Sequence, residues 1–381
     1  MISCAVTTSV LGCFATFFLF WRYTWFLDLT REQKTGFFIL FLLAGCIPAL
    51  TSYRFESFLG RYFAAYRYSL YFLFVFCIIL FSATVLRDMI WTTVYALGRL
   101  FKTTGIVSPF SKTALIRLNG VLLVFSLVCT GWACYEGLRV PAVKTLEFAS
   151  GKIKRPVTLA VLSDLHIHRV INPDKIKGIV EKTNAENPDV ILLAGDIIDD
   201  ETGRVSETAK LLQNLKASGG IYFVTGNHEF YAGYEPSVSL LKELGFVFLE
   251  NNGASFRDQL YIAGIPDLFS ASAHKLQINP AAAFQNAAPD QFRLLMSHTP
   301  ADFGKNNAFD LEISGHTHGG QIFPFHIFTK LYNKYLAGLY EMDNNAAIYV
   351  SRGSGQWGPQ LRFLAPAEIT ILKLVPENNE E

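Results

Sequence analysis

Two regimes of hydrophobic patterning divide the chain. Up to about residue 135 the apolar residues form long, nearly uncharged runs, and after residue 157 they form short runs separated by polar turns. The long runs lie at 2–20, 37–53, 68–86 and 118–135. A helix needs about 20 apolar residues to cross a bilayer, so each is read as a span. The first run ends in Trp21-Arg22-Tyr23, an aromatic and basic flank suited to a membrane interface. No basic segment precedes Ile2, which favours an uncleaved span over a signal peptide. Residues 88–101 are aromatic and weakly amphipathic, and are expected to lie on the membrane surface between the third and fourth spans.

The second regime predicts strands at 157–163, 189–195, 220–226, 246–250, 260–265, 292–297, 309–314, 347–351 and 368–374, with helices at 173–184, 206–217 and 237–244. Strand and helix alternate at first, as in βαβ units, and the later part is richer in strands. The fold expected is α/β: a two-sheet sandwich flanked by helices, preceded by an all-α transmembrane region of about four helices. The domain boundaries expected are a membrane region at 1–135, a linker at 136–155, a catalytic domain at 156–376 and a polar tail at 377–381.

Charge and residue usage sharpen the division. Residues 1–135 carry 11 Lys/Arg and 4 Asp/Glu, a net +7; the remaining 22 and 28 give −6, which sums to the formal +1 of the whole chain. All 6 cysteines precede residue 135 and all 8 histidines follow residue 165. The absence of cysteine from the second half fits a reducing compartment, though many periplasmic domains also lack disulfides; the catalytic domain is expected on the cytoplasmic side of the inner membrane. The loops between spans all carry several Lys and Arg, and leave the positive-inside rule little asymmetry to read. The overall balance carries no nucleic-acid signature.

The histidines recur at strand ends. Asp164 and His166 follow the first predicted strand, and Gly195-Asp196 closes the second. Asn227 and His228 follow the third, His298 a later one, and His316 and His318 the next. Strand ends on one edge of a sheet are neighbours in space, so these side chains gather there. Carboxylate and amide oxygens with imidazole nitrogens suit Mn, Fe or Zn, with manganese favoured, and no thiolate is present to recruit softer ions. Asp196 has two oxygens and can bridge two cations, an arrangement that clamps a phosphoryl group. A lone Asp-x-His is usually structural; five such items in order are not.

In order, Asp164-x-His166, Gly195-Asp196-x-x-Asp199, Gly226-Asn227-His228-Glu229, His298 and Gly315-His316-Thr317-His318 resemble the calcineurin-like metallophosphoesterase superfamily over residues 157–374. Gly315 to Gln321, together with Gly355-Gln356-Trp357-Gly358, Leu361-Arg362-Phe363 and Pro366-Ala367-Glu368-Ile369, resembles its membrane-associated bacterial YkuE-like and YaeI-like branch. The resemblance implies two divalent metal ions. Asp164, His166 and His318 hold one together with Asp196, which bridges to the second, held by Asn227, His298 and His316. It also implies that His228 is no ligand but protonates or stabilises the leaving oxygen, oriented by Asp199. Glu229 stands where many members have Asp, which reads as a conservative change.

Other residues are read more plainly. His168 is expected as an exposed strand-end residue, and His274 and His326 as surface. Arg352 and Arg362 either bind a substrate phosphate through the planar guanidinium or close structural salt bridges. Residues 323–340, rich in Phe, Tyr and Leu with Lys330 and Lys334 interleaved, form either a lid that meets lipid or a piece of the fold.

The resulting expectation is a membrane-bound phosphoester or pyrophosphate hydrolase acting on a lipid or lipid-linked substrate. UDP-2,3-diacylglucosamine of lipid A synthesis is the leading candidate within the resemblance and a general phospholipid phosphodiesterase the alternative. A non-catalytic scaffold would need a missing ligand, and none is missing. A transporter would need ionisable groups within its spans, and 68–86 has none.

Overall fold

A computed structural model describes residues 2–51, 55–109, 111–301, 309–342 and 346–377. The chain divides into two compact units, Met1–Tyr135 with Pro359–Phe363, and Glu136–Gly358 with Leu364–Glu381.

The first unit is helical. Its main helices are Ile2–Thr24, Arg31–Gly45, Phe63–Leu100 and Lys112–Leu138, the last running a few residues past the boundary. Among the described residues, Gly60–Leu100 and Lys112–Leu138 are long and apolar enough to cross a membrane. The run 37–53 does not form one span. Its helix ends at Gly45 and restarts as the four-residue Ile47–Leu50, with proline at the second position; residues 52 and 53 lie outside the described residues. Residues 88–101 form no separate surface segment. They continue the 38-residue helix Phe63–Leu100, which has no internal proline to break it.

Three charged groups on these helices pair with one another. Arg22 meets Asp88 at 2.7 Å, Arg87 meets the same carboxylate at 2.7 Å, and the Asn119 amide donates to the Arg22 carbonyl at 3.2 Å. Segment Pro359–Phe363 belongs to this unit through Tyr68, whose hydroxyl donates to Gln360 at 2.5 Å, and through the Arg362 amide, which donates to the Ala133 carbonyl at 2.9 Å.

The second unit is a sandwich of two six-stranded sheets. One has the order β1-β12-β2-β3-β4-β5, from strands Ala142–Ser150, Glu368–Pro376, Val157–Leu162, Val190–Ala194, Ile221–Val224 and Val247–Phe248. The other has the order β10-β11-β9-β8-β7-β6, from Gly338–Glu341, Ala347–Val350, Leu311–Ser314, Phe292–Met296, Leu260–Gly264 and Asn252–Phe256. Strands β2 to β5 are parallel, as are β7, β8, β9 and β11; β12, β6 and β10 add antiparallel pairings.

Alternation along the strands builds two cores. Leu159, Val161, Val190 and Leu192 point between the sheets at Ile262, Leu294 and Ile313. Ala160, Leu162, Ile191 and Leu193 point the other way, onto Ile176, Ile179 and Val180 of helix Pro173–Ala185 and onto Leu241. Strands buried on both faces read as continuous apolar runs, which is why the central ones stand out in the sequence.

The stretch 136–155 is no linker. Its residues 142–150 form β1, paired in parallel with β12 from Ala142↔Glu368 to Ser150↔Pro376. Leu146 and Phe148 pack toward the inter-sheet core and Val143 toward the helices. Lys144 and Glu147 interrupt the apolar positions of this edge strand, so its pattern passes for polar connection. Two further strands, β6 and β10, are also absent from the expected set, and helix 206–217 forms instead as Thr202–Ala209 with a 3-10 turn Lys210–Asn214.

Candidate metal centre

The loops that follow β2, β3, β4, β8 and β9 meet at one end of the sandwich. The first two are held together by backbone: the Asp164 amide donates to the Gly195 carbonyl at 3.0 Å, and the His166 amide to the Asp196 carbonyl at 2.9 Å. The Gly315 amide donates to the His298 carbonyl at 2.9 Å, which locks the two later loops. Close packing demands glycine at the turns. A Cβ on Gly226 would sit 2.2 Å from Asp196 Oδ1, and one on Gly315 2.4 Å from Asp164 Oδ2. Five chemistry-bearing residues, Asp164, His166, Asp196, His316 and His318, have positive φ, between 47° and 69°. Non-glycine residues seldom adopt this region, and where they do the surrounding structure enforces it.

The side chains form two donor groups that share one neighbourhood. Donor atoms of Asp164, His166 and His318 lie within 4.8 Å of one another, as do those of Asp196, His298 and His316. His166 Nε2 is 3.0 Å from His318 Nε2 and 3.6 Å from Asp196 Oδ2. His298 Nε2 is 3.2 Å from the same Asp196 oxygen, and His318 Nε2 is 3.2 Å from Asp164 Oδ1. Asn227 Oδ1 lies 3.0 Å from His316 Nδ1. Asp196 thus stands between the two groups.

The electrostatics call for positive charge between the carboxylates. Burial should raise Asp164 and Asp196, but His318 and His298 respectively overcome it, and both carboxyls are held below their ordinary range. Burial pushes His298 down; Asp196 outweighs it and holds the imidazole well above its ordinary value. His298 Nδ1 lies 2.8 Å from the Ala194 carbonyl and donates to it, and its buried Nε2 has no hydrogen-bond partner but faces Asp196. That nitrogen and the Asp196 oxygen 3.2 Å away are thus placed as a pair of donor atoms for a cation. Burial and the neighbouring His298 push His316 down, which keeps it neutral. Imidazole nitrogens and carboxylate oxygens aimed at common points, with no thiol, can hold two divalent cations of the Mn, Fe or Zn type.

His228 sits at the rim, half-buried, its Nδ1 bonded to Asp199 Oδ1. The other Asp199 oxygen is 3.4 Å from His166 Nδ1. Burial lowers His228, but Asp196 and Asp199 outweigh it and hold it up at about 9. The His228 amide donates to Asp196 Oδ1 at 2.8 Å.

Glu229 has a larger part than its sequence reading gave it. Its fully buried carboxylate accepts the amides of Asp196, Ile197, Ile198 and Gly226 at 2.7–3.1 Å, and so ties the β3 and β4 loops together. Burial and then Asp196 raise it to about 7, against these amide donors. Half of a helix-start signal was present, since a Glu three residues into the helix is placed to accept the amide of the capping residue, here Gly226. The late loop has a comparable part. The Ser354 amide donates to the Ser163 carbonyl at 2.8 Å and the Gly355 amide to the Asp164 carbonyl at 3.0 Å, which pins the first ligand-bearing turn.

The arginines separate. Arg352 lies against the turn at Gly319, where a Cβ would be 3.1 Å from its Cγ, and its guanidinium is 3.7 Å from Glu368. Arg362 is fully buried, and its segment Pro359–Phe363 groups with the helical unit. His168 is buried at 5% exposure rather than exposed, because the loop after β2 folds inward; its Nδ1 accepts the Val170 amide. His274 is exposed against Phe230, and His326 is half-buried against Phe323.

Residues 157–320 match the family model described as calcineurin-like phosphoesterase. An uncharacterized metallophosphoesterase of Helicobacter pylori is 35% identical over 266 residues, 68% of this chain and 72% of that protein. A Danio rerio protein described as a transmembrane protein with metallophosphoesterase domain is 30% identical over 296 residues, 73% of this chain and 67% of that one. The uncharacterized metallophosphoesterase YkuE of Bacillus subtilis is 33% identical over 232 residues, 57% of this chain and 78% of its own length.

Proposed function

This chain belongs to the calcineurin-like phosphoesterase family and is a metal-dependent phosphoesterase, and on that footing we propose that it is a membrane-bound hydrolase of a lipid-linked phosphodiester or pyrophosphate. UDP-2,3-diacylglucosamine is the favoured substrate. The observation that carries the lipid part is the joining, in one chain, of this centre to two helices long and apolar enough to span a bilayer. The Danio rerio relative, transmembrane by name, supports the same reading. Substrate held in the membrane meets a tethered enzyme at high local concentration. The catalytic unit faces the cytoplasm in this reading, and the helices cross the inner membrane more than once.

The roles in this reading are those the family resemblance implies, and the clustering of the side chains supports them. Asp164, His166, His318 and Asp196 would hold one divalent ion, and Asp196, Asn227, His298 and His316 the other, with manganese favoured for both. When bound, such a pair supplies Lewis-acid activation of water and neutralises charge on the phosphoryl oxygens. His228 has Nδ1 committed to Asp199, so Nε2 is the nitrogen left to deliver a proton to the leaving oxygen. Asp199 fixes that ring and, through its second oxygen, the ring of His166. Glu229 and Gly355 keep the loops in register. Arg352, beside the His318 turn, steadies a phosphate oxygen in this reading.

The test is a panel assay of the full-length protein in detergent or nanodiscs with Mn. The substrates are UDP-2,3-diacylglucosamine, phosphatidyl lipids and bis-p-nitrophenyl phosphate. The proposal expects the highest kcat/KM on the nucleotide-linked lipid. A preference for phosphatidyl lipids favours a general phospholipid phosphodiesterase, and a preference for the soluble diester alone removes the lipid reading.

A further inference from the structure

Helix Phe325–Asn333 turns its apolar face outward. A surface helix normally buries its apolar stripe. Here Phe325, Phe328, Leu331 and Tyr332 are exposed, Leu331 at 79% and Tyr332 at 76%, while the polar His326, Thr329 and Asn333 are half-buried. The outward residues recur at three- and four-residue spacing and make one continuous face. Trp357, also exposed, is held nearby: its amide and carbonyl pair with the Gln321 side chain at 3.2 and 2.9 Å. Lys330 and Lys334 are exposed on the same element and at its end.

The helix is anchored to the metal centre. The Phe325 amide donates to the Ile322 carbonyl at 2.8 Å, and Gly320 lies so near that a Cβ there would sit 2.3 Å from His326 Cα. Gly320 closes the turn that begins at His318.

We infer that this face, with Trp357 beside it, docks on an anionic lipid bilayer. The inference rests on the membrane reading of the proposed function. Three observations select lipid over a protein partner. Phe, Tyr, Trp and Leu with interleaved Lys is the composition of helices that lie in the membrane interface. The two lysines complement anionic headgroups. The same chain carries two helices of spanning length, so a bilayer is at hand. Docking brings the turn of His318 to headgroup level, where the phosphate of a lipid lies.

The test uses the full-length protein with its 6 cysteines replaced by serine. An environment-sensitive fluorophore is attached at Leu331→Cys or, as a control on an exposed polar helix position, at Lys177→Cys. The protein is reconstituted in phosphatidylcholine nanodiscs with or without phosphatidylglycerol. The expected result is quenching of the probe at 331, and not at 177, by nitroxide-labelled lipid. Lys330→Gln should lower the lipid-quenched population about five-fold on anionic discs and leave it unchanged on neutral ones. A probe at 331 as open to iodide as that at 177 overturns the inference. So does one shielded from iodide but untouched by nitroxide lipid, since a second copy or another protein segment then covers the face. Turnover of UDP-2,3-diacylglucosamine in the same discs is read separately. Turnover with a water-exposed probe ends this inference and leaves the proposed function; a lipid-quenched probe without turnover does the reverse.

Discussion

Asp199 and His228 form a hydrogen-bonded pair in which one carboxylate oxygen holds Nδ1 of the ring, while the other oxygen lies 3.4 Å from His166. One aspartate therefore aligns both the proposed proton donor and a proposed metal ligand. His228→Ala should retain metal and lose about 10²–10⁴-fold in turnover. The loss should shrink on bis-p-nitrophenyl phosphate, whose leaving group needs little protonation. Asp199→Asn should cost about 10–100-fold, with a smaller fall in metal occupancy. Metal analysis beside kcat checks both; loss of metal from His228→Ala would make His228 a ligand.

Asp196 stands between the donor groups, so Asp196→Asn should empty both cation positions together. Turnover should fall nearly to background while the fold survives, because the residue ends a strand rather than filling a core. Inductively coupled plasma metal content and circular dichroism check this. A variant that keeps both ions and near-normal turnover removes the bridge from the account.

Glu229→Gln keeps shape but replaces one acceptor oxygen by an NH2 group facing amide donors. A buried donor left without a partner costs about 1–3 kcal/mol. The variant should unfold at lower temperature and bind metal more weakly, since the β3 and β4 loops lose their common tie. Differential scanning calorimetry with and without Mn reports both effects. An unchanged midpoint would show that the amides find another acceptor.

Chelation should abolish turnover and added divalent ions restore it. Four histidines and three oxygen-bearing residues in the proposed ligand set should favour Mn over Mg, which prefers all-oxygen shells with several waters. Recovery by Mg alone would argue against the histidines as ligands.

The position of β1 separates two truncations. Removing residues 1–135 leaves β1 paired with β12 and should give a metal-binding unit active on bis-p-nitrophenyl phosphate. Removing 1–155 strips β1, exposes the edge of β12, and should give a less stable, aggregating protein. Thermal unfolding and light scattering of the two decide the matter. Equal stability would show that β1 is dispensable.

Sequence patterning carried the central strands and the gathering of Asp164, His166, Asp196, Asn227, His298, His316 and His318, because doubly buried strands and strand-end chemistry leave strong local marks. It missed β1, since an edge strand with Lys144 and Glu147 on it lacks a continuous apolar run. His168 was placed outside because the inward course of the loop after β2 is set by tertiary hydrogen bonds to the β3 loop. Glu229 looked interchangeable because its four backbone donors come mostly from another loop. The run 37–53 looked like a span because apolar composition does not record the break at Cys46 and Ile47. The return of 359–363 to the helical unit has no local signature at all.

The pairing of β1 with β12 also orders events during synthesis. β1 follows directly on the last long apolar helix, yet its partner positions lie 226 residues later, as Ala142 pairs with Glu368. At about 5–20 residues per second this interval is roughly 10–45 s. The apolar helices leave the ribosome well before β12 exists, and β12 must enter between β1 and β2. The catalytic sheet is therefore completed from its C-terminal end, after the helices that precede it have been made. A chain halted before residue 368 carries its long apolar helices but cannot close the sheet that shapes its metal centre.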